Sequence, residues 1–318
     1  MGVNGWVDIH GHFSPPMSEE ARQSFFDLAN KNCFLLSEPW KWTYQDTLSY
    51  MDKANIKFQF LSNIPGSYDA LKASNDYGAS IVTQHPSRFG LLAAIPTENP
   101  GNALSEIARA RGPLKADGYA VTCCYDGTYL SDPKLDPVWE ELNRLQAVVF
   151  IHPNAVAPPT LGRPQPLIEV AFETCRTLVS MLYDGHFARY PDIKFIVAHC
   201  GGTLPVLASR LQLLGCASWV PNPRGLTPDE IKTQLSSLYL DTAASCPSGL
   251  GPALEMTSPS HIVYGADCGV ACSTEETMEA NKAALLNYER LSKAEIDAIG
   301  TNVLSLFPRV AARLNDSM

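Results

Sequence analysis

Short apolar runs bounded by Gly, Pro and polar residues recur along the chain, alternating with longer segments whose apolar positions return at helical period. About eight of these runs read as strands, at residues 5–12, 58–65, 89–96, 118–125, 147–153, 193–199, 238–243 and 261–267. Segments between them read as helices, at residues 68–84, 103–110, 137–145, 167–189, 204–214 and 275–286. Strand, helix, strand repeated to a count near eight within 318 residues is the arithmetic of an α/β fold of the (β/α)8 TIM-barrel type. A doubly wound open sheet is the alternative, but no Gly-rich fingerprint follows the first strand.

Two regions break the rhythm. Residues 13–57 form a long insertion after the first strand, with Pro15-Pro16, Trp40, Trp42 and a predicted helix over 44–54. In a barrel such an insertion lies over the C-terminal face as a lid. Residues 292–318 read as C-terminal helices, with a capping signature at Ser292 and Glu295. With no repeat, low-complexity tract or linker, residues 1–318 read as a single barrel domain with a lid.

Composition narrows the function classes. Hydrophobic residues make up 45% and charged residues 18%, which provides for a core and excludes a disordered chain. The formal charge of −9 and the lack of a basic patch argue against nucleic acid and anionic membranes as partners. No apolar run reaches the ~20 residues of a membrane span, and the N-terminus lacks signal-peptide regions, so a cytoplasmic protein is expected. Nine cysteines, an odd number that includes the neighbours Cys123 and Cys124, read as reduced and mostly buried thiols.

The seven histidines carry the chemistry. His10 and His12 end the first predicted strand, and side-chain alternation places them with Asp8 on one face, where the two imidazoles can converge on one ion. His152 ends the fifth strand, His199 the sixth and Asp267 the eighth. Strand ends converge at the top of a barrel, so three or four imidazoles and one carboxylate gather there. That donor set suits Zn²⁺, Mn²⁺ or Fe²⁺ better than Mg²⁺ or Ca²⁺. The fourth strand ends Val121-Thr122-Cys123-Cys124-Tyr125, without the lysine that a binuclear barrel hydrolase uses as a bridge, so a single ion is expected. Cys268 and Cys272 lack the partners of a thiolate shell and read as structural. His85, His186 and His261 fall away from the strand tops.

In chain order, Val7-Asp8-Ile9-His10-Gly11-His12, His152-Pro153, Tyr190-Pro191-Asp192-Ile193-Lys194-Phe195-Ile196-Val197-Ala198-His199-Cys200-Gly201-Gly202, Tyr264-Gly265-Ala266-Asp267 and Thr301-Asn302-Val303-Leu304-Ser305-Leu306-Phe307 resemble the amidohydrolase-related decarboxylases, typified by aminocarboxymuconate-semialdehyde decarboxylase. The resemblance implies an amidohydrolase-superfamily barrel with one divalent ion, Zn²⁺ or Mn²⁺. It also implies a homodimer and non-oxidative loss of CO₂ from an unsaturated or aromatic acid. It makes His10, His12, His152 and Asp267 the metal ligands and His199 the acid/base or orienting group. Within the family the sequence is most similar to the 6-methylsalicylate and orsellinate-type decarboxylases of fungal polyketide pathways. The resorcylate branch carries glutamates where this chain has His10 and Gly202, which argues against a relay from His199 to such a residue. The muconate-semialdehyde branch holds a second carboxylate with an arginine from the first insertion, whereas here only Lys41, Lys53 and Lys57 lie between Asn32 and Gln59. A monocarboxylate substrate is expected.

Loss of CO₂ from an arene requires protonation of the leaving carbon, so the site must deliver a proton while holding the carboxylate still. Asp267 is the expected donor, with His199 hydrogen-bonded beside it. Phe13, Trp40, Trp42 and Tyr125 are candidates for lining a flat apolar slot, the alternative for the tryptophans being to anchor the insertion. Arg163, in the Pro-rich loop after His152, is either a substrate contact or a solvated charge. Two other readings remain: a metal-dependent hydrolase such as a lactonase, with His199 deprotonating metal-bound water, and a scaffold with a structural metal.

Overall fold

In the computed structural model, residues 5–154 and 162–316 are described. The eight parallel strands are β1 (Trp6–His12), β2 (Ile56–Ser62), β3 (Phe89–Ala94), β4 (Gly118–Thr122), β5 (Val148–His152), β6 (Lys194–Val197), β7 (Tyr239–Asp241) and β8 (Ile262–Val263), hydrogen-bonded in that order. The sheet closes just beyond β8, where Gly11 bridges Cys268 and the His12 amide donates to the Cys268 carbonyl at 2.7 Å. This is the expected TIM barrel.

Strand alternation divides the core into two layers. Val7, Ile9, Phe58, Phe60, Phe150 and Ile196 fill the barrel interior, and Val303, Phe307, Val310 and Leu314 from the C-terminal segment plug it from below. The opposite faces, with Leu61, Leu91, Val149 and Ile151, pack under the surrounding helices. A bottom closed by apolar side chains leaves the top rim for polar groups.

Alternation fails at one place that matters. The β1–β2 pairing shifts register between Asp8 and Gly11. Asp8 therefore does not share a face with His10 and His12: its carboxylate accepts from Gln59 Nε2 at 2.6 Å, on the β2 residue between the inward Phe58 and Phe60. A Cβ on Gly11 would lie 2.3 Å from Gln59 Cδ, so glycine there lets Gln59 reach Asp8.

Other differences have local causes. The helix expected over 167–189 is two, Glu169–Tyr183 and His186–Arg189, because Gly185 turns the chain at φ +75°. The insertion holds a helix at Glu19–Lys31 besides the one at Tyr44–Lys53; it is strongly polar, and Ala29 is its one buried residue. Helices at Pro228–Ser236 and Leu250–Met256 were also not anticipated. The last strand stops at Val263 rather than running to Asp267. All nine cysteines are free thiols, and Cys123, Cys200 and Cys268 are buried. No described helix is long and apolar enough to cross a membrane.

His186 gives the fold a pH dependence of its own. Its ring is buried edge-on to Trp139, and burial lowers its pKa to about 4. The unfolded chain, with an ordinary histidine pKa near 6.5, binds this proton more readily. The contribution is fully present above pH 6.5 and is lost as pH falls to 4, by about 3 kcal/mol in all. Urea unfolding of the protein and of His186→Gln at pH 7.5 and 5 should show a smaller acid loss in the variant; equal losses would remove His186 from the account.

Candidate metal centre

The strand tops bring the expected side chains together. His10 and His12 rise from β1, His152 ends β5, and His199 follows β6. Asp267 lies four residues beyond the end of β8. The Nε2 atoms of His10 and His12 are 3.0 Å apart, and each lies 3.2 Å from Asp267 Oδ1. His199 Nε2 is 3.7 Å from Asp267 Oδ2, an ion-pair separation rather than the expected hydrogen bond. Ligand atoms of His10, His152, His199 and Asp267 all fall within 4.8 Å of one another. The ring of His12 is 4.9 Å from that of His152, which joins it to the same group.

Local backbone geometry makes this convergence. His199 and Asp267 adopt left-handed conformations, at φ +55° and +60°, which non-glycine residues rarely hold. Each costs about 1–3 kcal/mol and persists because surrounding bonds determine it. Gly265 permits the close approach: a Cβ there would lie 2.9 Å from His10 Cβ and 3.0 Å from Asp241 Cβ.

Two buried carboxylates brace the cluster. Asp241, the last residue of β7, accepts from His10 Nδ1 at 2.7 Å through Oδ2 and from the His199 and Ala243 amides at 2.8 and 2.9 Å through Oδ1. Asp8 accepts from the amides of His10 and Ala266 at 2.9 and 3.0 Å, tying β1 to the residue before Asp267. Ser273 donates to Asp267 Oδ2 at 3.2 Å. Asp241 was missed from the sequence, although the argument that selected Asp267, a carboxylate finishing a strand, applies to it equally.

Electrostatics suit a cation. Burial alone would lower His10, but Asp241 and Asp267 raise it to about 10. Burial lowers His12, and burial together with the neighbouring histidines takes His152 well below the usual range. Burial would raise Asp267, yet the charge of His10 and the close approach of His10, His12 and His199 hold it well below the carboxylate range. Burial raises Asp8 to about 7, against its hydrogen bonds from Gln59, His10 and Ala266.

The residues fit a divalent ion. His152 Nε2 and His199 Nδ1 are buried and have no hydrogen-bond partner among the described residues. The 3.0–3.2 Å separations among His10, His12 and Asp267 approach the ~3.4 Å edge of a tetrahedron with ~2.1 Å bonds. Imidazoles with one carboxylate are donors for Zn²⁺ or Mn²⁺.

The remaining candidates are distributed differently. Phe13 is buried in the helix-facing layer, where its ring lies 6.1 Å from that of Tyr77, and is not brought to the cluster. Tyr125 is buried with Leu71 and Ala94, and its hydroxyl donates to the Pro65 carbonyl at 2.7 Å. Trp40 and Trp42 stack in parallel at 5.9 Å. Trp42 donates to Thr47 and lies beside Gly269, two residues beyond Asp267. Arg163 is exposed, its guanidinium donating to the Gly162 carbonyl.

The family model described as Amidohydrolase matches residues 7–302. The chain belongs to this amidohydrolase family. A decarboxylase, macB, of Penicillium terrestre is 35% identical over 82% of this chain and 83% of its own length. The 6-methylsalicylic acid decarboxylase of Penicillium expansum is 29% identical over 97% of this chain and 98% of its own. A dihydroxybenzoic acid decarboxylase from Polaromonas sp. JS666, solved with manganese and the inhibitor 2-nitroresorcinol, is similar in fold with a TM-score of 0.79. At 21% identity over 96% of this chain and 97% of that one, this likeness speaks for the fold.

Proposed function

We propose that this carboxy-lyase removes CO₂ from a hydroxylated aromatic monocarboxylic acid, with 6-methylsalicylate going to 3-methylphenol as the preferred reaction. The observation that carries the reading is the alignment with a 6-methylsalicylic acid decarboxylase over 97% of the chain. It is joined by the donor cluster of His10, His12, His152, His199 and Asp267 at the barrel top.

His10, His12, His152 and Asp267 would hold one divalent ion, Zn²⁺ or Mn²⁺, which when bound supplies a Lewis acid for the carboxylate and ortho phenolate. Asp267 takes up the proton that the ortho hydroxyl gives up in becoming the phenolate and delivers it to the ring carbon that bears the carboxylate, with His199 beside Oδ2. The C–C bond pair then returns to the ring and CO₂ leaves, so the ring gains one hydrogen for the carboxylate it loses. The strongest pull on the Asp267 pKa in the cluster comes from charge on His10. The stacked Trp40 and Trp42 give the neighbourhood of Gly269 an aromatic wall suited to a flat substrate.

The test is a mass-spectrometric screen of salicylate, 6-methylsalicylate, orsellinate and resorcylates for CO₂ release by metal-loaded protein, beside a panel of lactones. Stoichiometric CO₂ and 3-methylphenol from 6-methylsalicylate are expected. Lactone opening without CO₂ release from any acid would replace the reading with a hydrolase.

A further inference from the structure

The residue that ends β7 joins two parts of the site which the sequence motifs keep apart. Asp241 is fully buried, and both of its oxygens are engaged. Through Oδ2 it meets His10 Nδ1 at 2.7 Å. That contact requires Nδ1 to carry a hydrogen, so in the neutral ring that binds an ion the lone pair is the one on Nε2, facing His12 and Asp267. Through Oδ1 it accepts from the His199 amide at 2.8 Å and the Ala243 amide at 2.9 Å. His199 is held at φ +55°, an unfavourable conformation that needs such a bond to persist. Gly265 is the neighbour that leaves room, since a Cβ there would press on both Asp241 and His10.

We propose that Asp241 is the positioning residue that sets the metal-binding tautomer of His10 and the placement of His199 together, through the two oxygens of one carboxylate. Ligand readiness and proton handling are thereby one structural event: a change at Asp241 disturbs both, although Asp241 touches neither ion nor substrate. The inference rests on the reading of His10 as a metal ligand given above.

Asp241→Asn separates the two arms. Its amide oxygen can still accept from the His199 and Ala243 backbone, while its NH₂ group faces His10 Nδ1. The imidazole must then accept at Nδ1 and carry its hydrogen on Nε2, where it blocks ligation. Mn²⁺ affinity, measured by competition with a chromophoric chelator, should fall at least about tenfold. In Zn²⁺-loaded wild-type protein labelled with ¹⁵N-histidine, the slowly exchanging imidazole proton of His10 should reside on Nδ1. Asp241→Ala, which also releases the His199 amide, should show a further fall in kcat of about tenfold at saturating Mn²⁺ relative to Asp241→Asn.

Unchanged Mn²⁺ affinity in Asp241→Asn, or a His10 proton on Nε2 in the loaded wild type, would overturn the proposal. Equal kcat in the Asn and Ala variants would overturn its His199 arm. The affinity and the imidazole proton decide it even where Asp241→Ala fails to fold. Wild-type protein that takes up no Mn²⁺ or Zn²⁺ would instead overturn the metal reading itself.

Discussion

Asp267→Asn should lower CO₂ release about a thousandfold, within the ~10²–10⁴ range typical of losing a positioned acid or base. The substitution preserves shape and one oxygen donor. Asp267 Oδ1 faces the Nε2 atoms of His10 and His12, and Oδ2 receives Ser273 at 3.2 Å, so an asparagine keeps an acceptor toward one side. It removes the ability to carry and release a proton. Metal content determined on the same sample separates the two roles of the residue. Bound metal with turnover lost places the acid at Asp267. Bound metal with full turnover would take that role away and give it to His199, whose Nε2 lies 3.7 Å from the same carboxylate.

The members of this cluster were legible because each finishes a predicted strand, and strand ends of a barrel share one face. His152 closes β5 in register with Thr122 of β4, where the apolar run ended. What alternation could not show is where it is suspended. The register shift after Asp8 turns one of three apparently equivalent residues toward Gln59 and leaves His10 in the barrel mouth. Left-handed backbone at His199 and Asp267 was equally hidden, since neither is glycine and nothing local calls for it. The helix at Glu19–Lys31 carried a start signal, Ser18 at its N-cap followed by Glu19 and Glu20 in its first turn. The helix at Pro228–Ser236 carried one too, in the capping box of Thr227 and Glu230. Phe13 illustrates the opposite error: an aromatic residue that follows His12 in sequence, just past the end of β1, packs into the helix-facing layer rather than at the cluster.

Removing the ion should abolish CO₂ release and lower the melting temperature together. His10, Asp241 and Asp267 place one imidazole between two carboxylates, with the partnerless His152 Nε2 beside them, all with little or no access to water. Burying such groups is costly unless charge and lone pairs are matched, and a divalent ion matches them at once. Mn²⁺ or Zn²⁺ at a hundred times its dissociation constant stabilises the folded state by about 2.7 kcal/mol. For a chain of 318 residues that corresponds to about 4 °C. Differential scanning fluorimetry of chelated and reconstituted protein checks the shift, and a parallel CO₂ assay checks turnover. Chelation that lowers the melting temperature while CO₂ release continues would make the ion structural and move the chemistry to His199 and Asp267 alone. Loss of both, restored by either ion, is the result expected if one ion held by His10, His12, His152 and Asp267 supports fold and reaction together.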